Sequence, residues 1–395
     1  MTGTGPVASA TAGEPAASGS AAAPRAPVTA GTLEAPSSGA SLLPPPAPAP
    51  SLPAAVLRLS MAIVSRRCFD PRLTWPVQRS RLRAAGRLLP LPRLARTTTA
   101  TLGGVPVEVV TAAGGRVPVP AGRPGGVSAG EAGLAGAVRD AAGVSSATAG
   151  WPRTLVHFHG GGYCVGGPFV ARSFAVHLAA LTGAAVVLPD YRLAPEHPAP
   201  AALHDALAVL RALDAVVPGP VVLSGDSAGA GLALAAAQRR RDLGEPLPAG
   251  LLLHCPWLDL TADTAPVGAP GRAGDPSLVR RDVVLRPSWL TACARAYAPD
   301  GADDPVVSPL LGSIDGLPPM VVQAAADDLL RTDAERLALM AAASGADLQL
   351  VLAPGMWHDF AMQAGLVAAA GSAVRQAADA ALAWWAPRAP EAPGG

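Results

Sequence analysis

The chain has no lysine. All 30 of its basic residues are arginine, set against 29 acids for a formal net charge of +1 over 395 residues. So even a balance excludes long-range electrostatic capture of nucleic acid or of an anionic membrane surface. Aromatic residues are also scarce, with three Tyr, five Phe and seven Trp, while half of the residues are apolar. A sizeable core can be buried, but largely with small side chains. The four cysteines, Cys68, Cys164, Cys255 and Cys293, form no CxxC pair, which excludes a disulfide scaffold and a zinc knuckle and favours reduced thiols in a cytoplasmic protein. Residues 1–60 lack a charged start followed by an apolar stretch of roughly 7–15 residues, the pattern of a secretory leader. Nowhere is there an unbroken apolar run of about 18 residues, so no membrane insertion is expected.

What the sequence does contain is a change of texture along its length. Residues 1–53 are almost entirely Ala, Pro, Ser, Gly and Thr and read as a disordered tail. Two helical stretches follow in 54–98, one carrying Val56, Leu59, Ile63 and Val64, the other Val77, Leu82 and Leu88. The apolar residues of the first are expected to pack on the core. Val105 to Val110 reads as a strand, and 112–152 as an inserted disordered loop, too long for an ordinary connection. Beyond Trp151, short β-branched or Leu runs near 154–158, 184–188, 220–224, 249–253, 319–323 and 348–352 alternate with helical stretches near 170–182, 200–215, 228–241, 284–297, 332–344 and 364–386. Such alternation predicts an α/β fold with a mainly parallel central sheet and helices on both faces. Its ligands bind at the carboxyl ends of the strands.

The motifs fall at those ends. Val221 to Leu223 runs into Gly225-Asp226-Ser227-Ala228-Gly229 and then an Ala-rich helix, a G-x-S-x-G turn in strand–turn–helix context that makes Ser227 the candidate nucleophile. Leu155 to Phe158 ends in His159-Gly160-Gly161-Gly162, whose glycines let backbone amides converge on an oxyanion; Gly161, Gly162 and Ala228 are the expected donors. His159 reads as a residue that orients this loop. With chain order Ser, acid, His, the acid must end a later strand and the base must follow the next one. Asp327 and Asp328 follow the strand at 319–323. His358 follows the one at 348–352, whereas His254 precedes any suitable acid. The two aspartates are adjacent and point differently, so only one can meet the imidazole.

Taken together, HGGG at 159–162, DYRLAPEHPAPAALHD at 190–205, GDSAG at 225–229, PWLDLT at 256–261, SPL at 308–310, LPP at 317–319 and GMWH at 355–358 resemble the hormone-sensitive-lipase family of bacterial esterases and lipases. The resemblance implies an α/β-hydrolase core over 99–388 and a helical cap from the helices of 54–98 plus an excursion at 262–300. It implies Asp328 as the acid, nine residues after the second Pro of LPP, although Thr332 stands where a further acid is common. Arg192, Glu196 and His197 would support the turn beneath the site, and Asp226 would organise neighbouring loops. The implied activity is that of a serine carboxylesterase acting on small, short-acyl esters; the alternatives are an acetyl-hydrolase of a secondary metabolite and a ligand-binding module without turnover. The last would be expected to have lost its Ser or His, and both are present. Tyr163, Phe169, Tyr191 and Trp357 are expected to shape the substrate pocket. The chemistry needs no metal and no organic cofactor, its partner is a small-molecule ester, and the resemblance also implies a homodimer through a sheet edge.

Overall fold

The computed structural model describes residues 54–87, 95–112, 153–261 and 276–386. The tail at 1–53, nearly all of the insertion at 112–152 and the first part of the 262–300 excursion lie outside the described residues.

Eight strands form one sheet: β1 (Ala95–Leu102), β2 (Val105–Ala112), β3 (Thr154–Phe158), β4 (Ala185–Pro189), β5 (Val222–Asp226), β6 (Gly250–His254), β7 (Met320–Ala325) and β8 (Leu348–Ala353). Their spatial order is β1-β2-β4-β3-β5-β6-β7-β8. From β4 to β8 all neighbours are parallel, while β2 runs antiparallel to both β1 and β4. Every residue of β3, β4, β5 and β6 is buried. Unbroken apolar runs of this kind suit parallel strands covered on both faces by helices. The covering helices are α3 (Arg172–Thr182), α4 (Ala201–Asp214), α5 (Ala228–Asp242), α8 (Arg331–Ser344) and α9 (Ala368–Trp384), preceded in the chain by α1 (Ala54–Cys68) and α2 (Trp75–Gly86). Two more, α6 (Pro276–Arg281) and α7 (Pro287–Tyr297), fall in the second part of the excursion.

The strand order locates the site. From β3 the chain steps outward to β4 and then returns past β3 to β5, so its winding reverses between β3 and β5. At such a reversal the loops leaving adjacent strands diverge and open a crevice at the carboxyl edge. The HGGG loop leaves β3 and the G-x-S-x-G turn leaves β5, with Phe158 and Gly225 as paired residues at the strand ends.

Two expectations need correction. The sequence reading omitted β1, which forms a hairpin with β2 across Gly103 and Gly104, both at positive φ. The first helix does not spend its apolar stripe on the core: Val56, Leu59 and Ile63 are exposed, and Leu57, Ser65 and Cys68 are buried instead. On the same helix Arg58 reaches Asp327, the Arg281 carbonyl and the Gly355 carbonyl.

Helix α2 is tied to the segment that follows the HGGG loop. Arg79 donates to the carbonyls of Cys164 (2.8 Å) and Ala194 (2.7 Å) and pairs with Glu196. Gln78, buried on the same helix, accepts from the indole of Trp289 on α7 at 2.9 Å.

Candidate active site

Ser227 occupies the point where β5 becomes α5. Its backbone sits at φ 54° and ψ −120°, a region that side-chain-bearing residues avoid. The turn is held by the Ser227 amide donating to the His254 carbonyl and by the Ser227 carbonyl accepting from Trp257 and from the first turn of α5. A side chain at Gly229 would run into the carbonyl of Phe158, so the close crossing of helix and strand requires glycine there. These contacts fix the strained turn and project the hydroxyl toward the loop that follows β8.

In that loop His358 lies with Nε2 3.0 Å from Ser227 Oγ and Nδ1 2.8 Å from Asp328 Oδ2. All three side chains are buried. Asp328 is itself held, its Oδ1 accepting the Leu330 amide at 2.8 Å. Asp327 points the other way and pairs with Arg58 at 2.9 Å and Arg281 at 3.7 Å. The choice between adjacent aspartates is thus made by backbone direction at the end of β7. Thr332, where a further acid was looked for, is followed by Asp333, whose buried carboxylate accepts the amides of Leu258 and Asp259 and so anchors the PWLDLT segment.

Burial alone would lower the basicity of His358, but the Asp328 and Asp359 carboxylates outweigh it and hold the imidazole well above its ordinary range. Asp359 escaped the sequence reading although it directly follows the candidate base. Its Oδ2 is 3.1 Å from His358 Nε2, and burial pushes its carboxyl up to about 7. Cys255 was also missed as a neighbour of the imidazole; burial and then the charge of Asp328 push its thiol up to about 12. One ligand atom each from Cys255, Asp328 and His358 lies within 4.8 Å of the others. Two of those groups already share the hydrogen bond that orients the imidazole, so a cation there would have to break it.

The HGGG loop faces Ser227. Gly161 (φ 115°) and Gly162 (φ 60°) adopt backbone conformations that favour glycine, and a Cβ on Gly162 would come within 2.7 Å of Cys293 Sγ on α7. Among the described residues the amides of Gly161, Gly162 and Ala228 have no hydrogen-bond acceptor, as donors reserved for a ligand require. His159 accepts no role in proton transfer: its Nδ1 meets the Gly160 carbonyl at 2.7 Å, its ring stacks on Tyr191, and burial lowers its pKa. Beneath the loop, buried His157 bridges Ser224 Oγ and Asp226 Oδ1, each at 2.9 Å, which accounts for Asp226 as an organiser of the turn. Arg192 pairs with Asp205 and Glu196 with Arg79, both away from the nucleophile.

The expected pocket aromatics are mostly spent on packing. Tyr163 stacks on Tyr297 with ring centroids 3.8 Å apart. Tyr191 donates its hydroxyl to the His159 carbonyl at 2.6 Å, and Trp357 donates its indole N–H to Gln363 at 2.9 Å. Tyr191 and Trp357 have their polar ends bonded inside the protein and Tyr163 is buried in its stack, so these three hold the loops and do not present a wall to solvent. Phe169 is half-buried, against Gly86 of α2 and beneath the Arg83 guanidinium.

A strained Ser on a strand–helix turn, an imidazole oriented by a carboxylate and a cluster of free amides are the equipment of acyl transfer through a serine. Comparison with known proteins agrees. The family model for the alpha/beta hydrolase fold matches residues 155–362. An acetyl-hydrolase of Streptomyces hygroscopicus is 39% identical over 210 residues, 52% of this chain and 67% of the relative. The carboxylesterase NlhH of Mycobacterium tuberculosis is 32% identical over 239 residues, 55% of this chain and 70% of the relative. The crystal structure of an esterase from the bacterial hormone-sensitive lipase family superposes with a TM-score of 0.68 at 27% identity, covering 84% of this chain and 99% of the other. The chain belongs to the α/β-hydrolase family, in its bacterial hormone-sensitive-lipase branch.

Proposed function

We propose that the protein is a serine carboxylesterase that hydrolyses small, short-acyl esters through an acyl-enzyme on Ser227. The observation that carries this is the single line of contacts from Ser227 Oγ to His358 Nε2 and from His358 Nδ1 to Asp328. His358 takes the serine proton, the alkoxide attacks the ester carbonyl, and the oxyanion rests on the amides of Gly161, Gly162 and Ala228. Each such donor contributes about 3 kcal/mol to lowering the barrier. His358 then gives its proton to the leaving alkoxide, and a water activated by the same imidazole releases the acid. The helices α1 and α2 together with α6 and α7 act as a cap. Trp289 and Cys293 sit close on the Gly162 backbone, so the cap helix α7 packs directly on the HGGG loop. The four cysteines are buried and form no disulfide, which is consistent with a cytoplasmic enzyme. Among the described residues no helix is long and apolar enough to cross a membrane. A homodimer would use an edge of the sheet, such as its last strand β8.

A second reading, removal of an acetyl group from an alcohol or amine, is favoured by the 39% identity to the Streptomyces acetyl-hydrolase. Assays with nitrophenyl esters from acetate to laurate, wild type beside Ser227→Ala, test the first. Hydrolysis that prefers acetate and is lost in the variant is expected; a folded wild type inert on every chain length would shift the assignment to acetylated amines.

A further inference from the structure

A fourth ionisable side chain touches the imidazole, and the cycle above does not use it. Asp359 is held in the left-handed backbone region (φ 56°, ψ 30°) at the start of a short 3-10 turn. Its Oδ2 lies 3.1 Å from His358 Nε2, the same nitrogen that is 3.0 Å from Ser227 Oγ. Its Oδ1 is buried without a hydrogen-bond partner. These contacts make two incompatible demands on one nitrogen. With its proton on Nδ1 and bonded to Asp328, a neutral His358 presents a lone pair at Nε2, which accepts the serine hydroxyl and repels an ionised carboxylate. An imidazolium donates Nε2–H to Asp359 and can take no proton from Ser227.

We propose that Asp359 is a positioning residue that retains a proton between itself and His358 Nε2 in the free enzyme, so that the base is freed only when that proton leaves to solvent. The inference rests on the reading of His358 as the base. The groups that face the pair are nearly all acidic or neutral. Asp226 is the last residue of β5 and Ser227 follows it, the Cys255 thiol comes from just after β6, Asp282 from the segment after α6 and Asp328 from the loop after β7. Burial, and secondarily repulsion by Asp328, pushes Asp282 up to about 6, so its charge adds to the field that retains the proton through neutral pH. The sign follows: removing the Asp359 carboxylate takes away an anion that favours imidazolium, so His358 becomes a free base at lower pH.

The test is the pH profile of kcat/KM for p-nitrophenyl acetate in wild type, Asp359→Asn, Asp359→Gly, Asp327→Asn and His358→Ala. Glycine accommodates the positive φ of this position, so Asp359→Gly carries the test if the Asn variant does not fold. The expected result is an acid limb lowered by about one pH unit in both Asp359 variants and unmoved in Asp327→Asn. An acid limb unchanged or raised in the Asp359 variants, with His358→Ala inactive, would overturn the role of Asp359 alone. Activity retained in His358→Ala would overturn the assignment of the base.

Discussion

Asp327 and Asp328 are chemically identical and adjacent, yet one points at an imidazole and the other at two arginines. Asp328→Asn offers Nδ1 an amide in place of a carboxylate, which disturbs the tautomer and removes the charge that stabilises the imidazolium. A fall in kcat of about 10³–10⁴-fold is expected, with KM little changed. Asp327→Asn weakens a partly exposed pair with Arg58 and should change kcat less than about threefold and stability by under about 1 kcal/mol. Steady-state kinetics and thermal melts of the two variants check both, and the reverse ranking would move the acid by one residue. That Ser227 and His358 would follow β5 and β8 and could meet was legible in the sequence, because the chemistry proposed for them needs a particular residue type after a particular strand. The aromatic side chains were not legible in the same way. Tyr163, Tyr191 and Trp357 sit in the right loops, but whether a ring faces a ligand or stacks on Tyr297 or His159 depends on partners far along the chain.

At the scale of elements, the short parallel strands could be read within a few residues, because burial on both faces leaves them apolar without interruption. Strand β1 could not, since its Thr-rich sequence alternates in exposure at the sheet edge and carries almost no apolar signal. The helix α1 misled for the opposite reason: its apolar stripe is exposed, while Arg58 on the same helix reaches Asp327. Contacts between elements matter to the site most at Arg79, which links α2 to the carbonyls of Cys164 and Ala194 beside the oxyanion loop. Arg79→Ala leaves those part-buried carbonyls without a donor, a loss of about 2–4 kcal/mol; the pair with the half-exposed Glu196 adds little. A melting temperature lowered by several degrees, with a raised KM for esters, is the expected outcome. An unchanged melt would mean that the other contacts of α2, Gln78 with Trp289 and Phe169 against Gly86 and Arg83, suffice to hold it.

For the whole molecule, the winding reversal between β3 and β5 explains why the HGGG loop and the Ser227 turn, whose first and central residues lie 68 positions apart, meet at the carboxyl end of the sheet, where Asp328 and His358 also arrive from β7 and β8. The proposed chemistry turns on one covalent event at one residue. The measurement that tests it most directly is rapid quenching of the enzyme during turnover of p-nitrophenyl acetate, followed by peptide mass spectrometry. The account predicts a burst of nitrophenol approaching one equivalent and an acetyl group on the peptide containing Ser227, both absent in Ser227→Ala. Turnover that persists in Ser227→Ala, or an acetyl group carried on another residue, would contradict it.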